Sequence, residues 1–124
     1  LESIKLLGSN GGSPTEADSS HPYENPTPFS NWLQTLAILL IPAGQVYYFG
    51  KKVENLKHAW AIFIFMILLF SVGVAVSCYF EAEGNPLLSE MAFDLSGGNM
   101  EGKEQRFGIF NTTLFSTATT TVSN

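Results

Sequence analysis

Ala59–Phe80 reads AWAIFIFMILLFSVGVAVSCYF, and this stretch decides the fold class. Nineteen of its 22 residues are apolar, the exceptions being Ser71, Gly73 and Ser77, and none is Asp, Glu, Lys, Arg or His. At ~1.5 Å rise per residue a helix of this length reaches about 33 Å, enough to cross a hydrocarbon core of roughly 30 Å. Hydrophobicity runs round the whole circumference, so an amphipathic surface helix fits poorly. A central helix in a soluble core is the competing reading, but 124 residues leave little material to surround it.

Upstream lies a second charge-free window, Phe29–Phe49, FSNWLQTLAILLIPAGQVYYF, in which 14 of 21 residues are apolar. Its polar members are Ser30, Asn31, Gln34, Thr35 and Gln45, with Pro42 and Gly44 near the far end. Pro42 removes a backbone donor, and a kink is expected there. A membrane helix tolerates this where neighbouring helices or water satisfy the freed carbonyl. The polar residues imply a span with one face turned toward protein; a buried or interfacial helix is the alternative.

Composition agrees with a membrane chain. Charged residues make up only 14% against a typical ~25%, and the mean hydropathy is +0.15. With 11 acidic and 6 basic residues the net charge is −5, which makes nucleic acid an unsuitable partner. The single cysteine, Cys78, excludes an internal disulfide framework and any CxxC signature. The charges also segregate. Gly50–His58, GKKVENLKH, carries Lys51, Lys52 and Lys57 against Glu54, net +2. Residues 1–28 are net −3, and Glu81–Arg106 is net −4. Short basic loops stay cytoplasmic, so 50–58 is expected inside and the segments 14–28 and 81–106 outside. The absence of an initiator Met, and an end inside a Thr/Ser run, give the expectation of an internal piece of a longer membrane protein.

The two ends carry the candidate chemistry. Ser9-Asn10-Gly11-Gly12-Ser13 follows a short amphipathic stretch, Leu1–Leu7. Paired glycines let the backbone take φ > 0 and point successive carbonyls to one side. Taken alone, however, SNGGS reads as a surface turn. At the other end, residues 107–124 carry no charge and are too polar to span; eight of the twelve residues Thr112–Ser123 are Ser or Thr. The chain closes on Thr121-Val122-Ser123-Asn124, a partial echo of Ser9-Asn10. A short hydroxyl-rich helix entering from outside suggests a re-entrant pore segment, because irregular backbone survives at membrane depth only beside protein or a water-filled pathway. Rings of carbonyl and hydroxyl oxygens at such a place can replace a cation's hydration shell. An O-glycosylated stalk or polar linker is the competing reading of the Thr run.

The pattern is therefore an all-α membrane protein of helix–pore loop–helix repeats. Its expected parts are a pore-helix end and filter-like loop (1–13), an outer loop (14–28), a span (29–49), an inner turn (50–58), a span (59–80), an outer loop (81–106) and a re-entrant pore helix (107–124).

Three motifs sharpen this. His21-Pro22-Tyr23-Glu24-Asn25-Pro26, Gly84-Asn85-Pro86, and Asn99-Met100-Glu101-Gly102-Lys103-Glu104-Gln105-Arg106-Phe107-Gly108 resemble the potassium-binding A subunit of the bacterial Kdp potassium-transporting ATPase. The resemblance covers essentially the whole chain in order. It implies a fold of four helix–pore–helix repeats of the potassium channel and transporter type. This stretch then runs from the end of the second pore loop to the third. The resemblance further implies a bacterial inner-membrane, multi-pass subunit that binds and admits potassium from outside. Potassium is then the transported ion, and no covalent cofactor is implied. A separate P-type ATPase catalytic subunit and small accessory subunits are implied as partners, with the lipid bilayer as surroundings. Carried over by position, Ser9, Asn10, Gly11 and Gly12 line the second quarter of the filter, and Thr121, Val122, Ser123 and Asn124 approach the third. The sequence departs from the family pattern of Thr at position 9 and three glycines followed by two phenylalanines: Ser9 replaces the Thr, and Ser13-Pro14-Thr15 follows Gly12. A non-glycine at Ser13 takes φ > 0 less cheaply, and losing the aromatic pair changes the packing behind the filter.

Other residues read as structural. His21 beside Glu24 lacks a second His or Cys at ligand spacing, so it reads as a hydrogen-bonding residue of its loop. His58 flanks the basic turn, and Cys78 reads as a small apolar residue. Asn111-Thr112-Thr113 matches a glycosylation sequon, which is a chance match if the source is bacterial. Glu101, Lys103, Glu104 and Arg106 form either a salt-bridged cap over the pore mouth or a solvated turn. No nucleophile–base arrangement, phosphate loop or phosphorylatable aspartate motif is present, so ATP hydrolysis is not expected of this chain. The competing function class is a non-transporting two-helix membrane protein, or a truncated gene fragment, with a structural or interaction role.

Overall fold

The computed structural model describes residues 2–8, 12, 15, 19–83 and 104–122, and among these there are four helices and one 3-10 turn. We label the helices α1 (Glu2–Leu7), α2 (Pro28–Lys52), α3 (Leu56–Glu83) and α4 (Gly108–Val122). The 3-10 turn Gln105–Phe107 leads directly into α4. Among the described residues there is no strand.

The start of α2 is fixed by its own sequence. Pro28, with φ preset and no N–H to lose, occupies the first turn. Thr27 precedes it as N-cap: its hydroxyl accepts from the Ser30 N–H at 3.1 Å, and Ser30 Oγ accepts from the Thr27 N–H at 3.0 Å. Two otherwise orphan donors are satisfied reciprocally. The helix then runs through Pro42 without a break in its assigned span.

Both long helices outrun their charge-free windows, so the connection is shorter than the expected 50–58 segment. Gly50–Lys52 close α2 and Leu56–His58 open α3, which leaves Val53–Asn55 as the turn. Lys51 and Lys52 sit in the last turn of α2, where cations meet the partial negative charge of the helix end. Glu54 adopts φ 56, and Asn55 caps α3 by accepting the His58 N–H at 3.1 Å. Gly50 permits the tight return: a Cβ there would be driven into Ala59 Cβ.

α4 packs against both α2 and α3, and those two pack on each other. Ile38, Val74 and Ala118, one from each helix, are buried. Outside this small core α3 is bare. Ile64, Phe65, Leu68 and Leu69 are all more than half exposed, so α3 is not the central helix of a soluble core. By length and composition α2 and α3 can each cross a membrane. At about 22 Å, α4 cannot.

Candidate functional site: the short helices and the polar loop between them

The register of α4 follows from two contacts with α3. Cys78 Sγ lies 2.8 Å from Thr113 Oγ1, and a Cβ on Gly73 would stand 3.4 Å from Thr117 Cγ2. Moving from Thr113 to Thr117 along α4 thus moves from Cys78 back to Gly73 along α3, and the two helices run antiparallel. Gly73 is ten residues, or about 15 Å, inside the Glu83 end of α3. Val122 lies five residues beyond Thr117, about 7.5 Å further, at the level of the middle of α3.

The hydroxyls of α4 mostly fold back on the helix. Thr119 and Thr120 donate to the Ser116 carbonyl at 3.0 and 2.8 Å, and Thr121 donates to the Thr117 carbonyl at 2.6 Å. Thr113 lies 2.9 and 3.0 Å from the Ile109 and Phe110 carbonyls. Either group can be the donor in the Cys78–Thr113 contact, since the single Thr113 proton has the two carbonyls and the sulfur as acceptors. Such back-bonding satisfies each hydroxyl without water. It also turns the exposed Thr121 oxygen into a group that presents only lone pairs, suited to a cation rather than an anion.

Of the expected filter residues, Ser9, Asn10, Gly11, Ser123 and Asn124 lie outside the described residues. So do Ser13, Pro14, Gly84-Asn85-Pro86 and Asn99–Lys103, which include Glu101. Gly12 is exposed and outside regular structure, Thr121 is exposed in the last turn of α4, and Val122 is its half-buried final residue. Among the described residues no hydrogen bond joins Gly12 to Thr121 or Val122.

What the fold does bring together is a polar cluster that the sequence reading missed. The loop His21–Pro26 folds over the start of α2. The Glu24 and Asn25 N–H groups donate to the His21 carbonyl at 3.0 and 2.9 Å, and the Tyr23 N–H donates to His21 Nδ1 at 3.2 Å. His21 thus serves its loop, with its ring stacked on Tyr23 at 5.5 Å. Asn25, fully buried, donates through Nδ2 to Asn31 Oδ1 at 2.8 Å and accepts from Ser30 Oγ at 2.6 Å. Asn31, 2% exposed, in turn donates to the Asn111 carbonyl of α4 at 3.2 Å. Gln34 Nε2 donates to the Glu24 carbonyl at 2.8 Å. On the opposite side Lys5 of α1, only 6% exposed, donates to Ser19 Oγ at 2.6 Å and stands 4.0 Å from Glu24 Oε2.

The turn before α4 is tied to the same loop. Arg106 donates through Nη2 to the Ser20 carbonyl at 2.7 Å and through Nε to Glu104 Oε1 at 2.8 Å. The Arg106 side chain, with a further bond from its backbone N–H, holds the Glu104 carboxyl below its ordinary value. Of the four charged residues expected to cap or simply solvate this turn, Glu104 and Arg106 are paired; Glu101 and Lys103 lie outside the described residues.

Two apolar helices long enough to span, and a third too short to do so that ends level with their middle, define a helical membrane protein. A sequence profile described as the potassium-transporting ATPase A subunit (KdpA) matches residues 1–124, and the chain belongs to that family. Relatives named potassium-transporting ATPase potassium-binding subunit are 48% identical in Dechloromonas aromatica and 49% in Solibacter usitatus, each over 122 residues. A third, in Koribacter versatilis, is 51% identical over 126 residues. Each match covers 98% of this chain and 21% of the relative, so the chain spans about a fifth of the length of these relatives.

Proposed function

We propose that this chain is part of a potassium-binding, potassium-translocating, channel-like subunit of an ATP-driven uptake complex. In this reading α1 and α4 are pore helices of successive helix–pore–helix repeats. Ser9, Asn10, Gly11 and Gly12 line one quarter of the filter, and Thr121, Val122, Ser123 and Asn124 lead into the next. Backbone oxygens replace the hydration shell of potassium, the transported ion. ATP hydrolysis belongs to a separate P-type catalytic subunit, accompanied by small accessory subunits.

The register of α4 carries this reading. Entering beside the Glu83 end of α3 and stopping level with its middle, α4 directs the partial negative charge of its C-terminal end toward the bilayer centre. That is where a dehydrated cation most needs compensation. The back-bonded hydroxyls let a helix so rich in Thr sit at that depth without orphan donors. Topology follows from charge. The turn bearing Lys51, Lys52 and Lys57 faces the cytoplasm of a bacterial inner membrane, and the acidic segments face outward. The Arg106–Ser20 and Asn31–Asn111 bonds hold Ser20 and Arg106 together at the end opposite that turn, so both belong to one side of the membrane.

The test is restored growth at low potassium of a transport-deficient bacterium given the full-length subunit and its partner subunits. Gly11→Asp places a side chain and a fixed charge in the expected ion path and should abolish uptake. Lys52→Ala, at the inner turn, should leave it nearly intact. Failure to restore growth despite normal membrane expression, or equal effects of the two substitutions, would sink the proposal and favour a non-transporting membrane protein.

A further inference from the structure

The segment Ser19–Asn31, which carries the His21–Pro26 loop, is bonded to both short helices by contacts of different chemistry. Toward α1 the link is ionic: the Lys5 ammonium on Ser19 Oγ, with the Glu24 carboxylate 4.0 Å away. Toward α4 it passes through the start of α2, from Asn25 to Asn31 and from Asn31 to the Asn111 carbonyl, and the Arg106–Ser20 bond ties the turn before α4 to the same segment. A buried ammonium is expensive to desolvate, and apolar residues of similar size often replace such groups without loss of stability. Ser19 itself is held at φ 66, a left-handed conformation that costs a non-glycine residue energy. Cost and strain concentrated at one junction are poorly explained by stability alone. They are explained if the junction sets geometry.

We infer that Ser19–Asn31 is a positioning element that fixes α1 and α4 relative to each other, with Lys5 and Asn31 as its positioning residues for potassium recognition. The inference rests on the reading of α1 and α4 as pore helices. Each helix delivers one quarter of the filter, and discrimination among cations depends on where the oxygens from different quarters stand. One loop gripping both helices holds two quarters in a common frame. Releasing either grip leaves the pathway in place and lets its oxygens wander. Loss of this kind falls on affinity and selectivity before it falls on maximal rate.

Potassium and rubidium uptake by the full-length subunit in its complex tests this. Lys5→Met and Asn31→Leu keep side-chain volume but remove the bonds. Each should raise the half-saturating potassium concentration about tenfold and reduce preference over rubidium, with the maximal rate within about twofold. Lys5→Arg, which keeps charge and donors, should stay within about threefold of the parent. Because both grips act through one loop, the double variant should resemble the worse single variant rather than multiply the two effects. The inference is overturned if affinity and selectivity are unchanged in both variants at parental abundance. It is equally overturned if only the maximal rate falls, or if the double variant multiplies. Should Lys5→Met or Asn31→Leu fail to assemble, Ser19→Ala removes one hydroxyl and is held to the same shift in affinity. If the parent complex takes up no potassium, the functional reading has failed, and positioning is judged separately by spin labels at Ser3 and Phe110. Asn31→Leu should broaden their distance distribution, and an unchanged distribution rejects the positioning element as well.

Discussion

Adding one methyl group at Gly50 should act through the hairpin and be reversed by removing one from Ala59. Gly50 is buried in the last turns of α2, and Ala59 is buried in the first turns of α3. A Cβ built on Gly50 falls within contact distance of Leu56 Cδ2, at 3.5 Å, and of the Ala59 Cα, at 3.7 Å. Against Ala59 Cβ it falls far inside the ~3.5–4.0 Å at which two carbons rest. Ala59 has no rotamer to change, so the strain passes to the backbones, and the helices must part there by on the order of 1 Å. Overpacking of this kind costs about 1–3 kcal/mol, while Gly→Ala inside a helix returns about 1 kcal/mol. The net loss for Gly50→Ala is therefore about 0–2 kcal/mol, too blurred to decide anything alone. The double-mutant cycle is cleaner. In Gly50→Ala/Ala59→Gly the helix-propensity terms cancel and the clash disappears, so the coupling should be about 1–3 kcal/mol in favour of the double variant. SDS-titrated unfolding of the four subunits in mixed micelles measures it. Coupling below about 0.5 kcal/mol, the scatter of independent sites, refutes the close approach of the two helices at this turn.

Replacing Glu54, held at φ 56, by Gly should stabilise the subunit by about 0.5–1 kcal/mol in the same assay; a loss would show that its carboxylate matters more than its backbone. Thr27→Ala removes the reciprocal cap of α2 and should cost about 1 kcal/mol, whereas Thr27→Ser should cost little. The Glu104–Arg106 pairing gives a pH dependence with a definite sign. Because the carboxyl lies below its ordinary value in the folded chain, the pairing contributes fully above that ordinary value and is lost as pH falls through the depressed one. Hydrogen-exchange protection of the Arg106 amide should accordingly persist through the normal carboxylate range and decay only below it. Decay that begins at higher pH would contradict the assignment.

Much of this architecture is legible in the sequence because hydrocarbon is an unforgiving solvent. A run such as Ala59–Phe80 has few options, and absence of charge marks the spans. The ends are less legible for a related reason. Lys51, Lys52 and Lys57 have long side chains that reach water from within a helix, so the charge-free windows understate the helices and overstate the turn. The polar cluster was hidden differently. Asn25, Asn31 and Ser30 lie close together in sequence, yet Asn31 meets Asn111 across 80 residues and Lys5 meets Ser19 across 14. Hydrophobic periodicity is blind to such pairings. Only the proline-bounded run His21–Pro26 hinted that this loop had a fixed shape. Cys78 is a milder case: read from the sequence as a small apolar residue, it is hydrogen-bonded to Thr113 between α3 and α4.

The distribution of polar groups along α4 bears on why it is so rich in hydroxyls. On the proposed reading α4 stops in the middle of the bilayer, so it must present polar backbone there, and the surrounding side chains must neither repel a cation nor bind it too firmly. Carboxylates would hold the ion, and lysines would exclude it. Threonines whose protons are committed to carbonyls three or four residues back, as in Thr119, Thr120 and Thr121, do neither. They remain neutral and satisfied and offer lone pairs outward, while the methyl group of Thr117 fills the close approach to α3 at Gly73. The first turn of α4 is built differently. There and in the turn that follows, the Asn111 carbonyl and Thr113 are taken up by Asn31 and Cys78 of the two flanking helices. Anchoring is thus concentrated at the start of α4 and lone pairs at its end, the order the proposed reading requires, with the helix held from outside so that its far end can meet an ion.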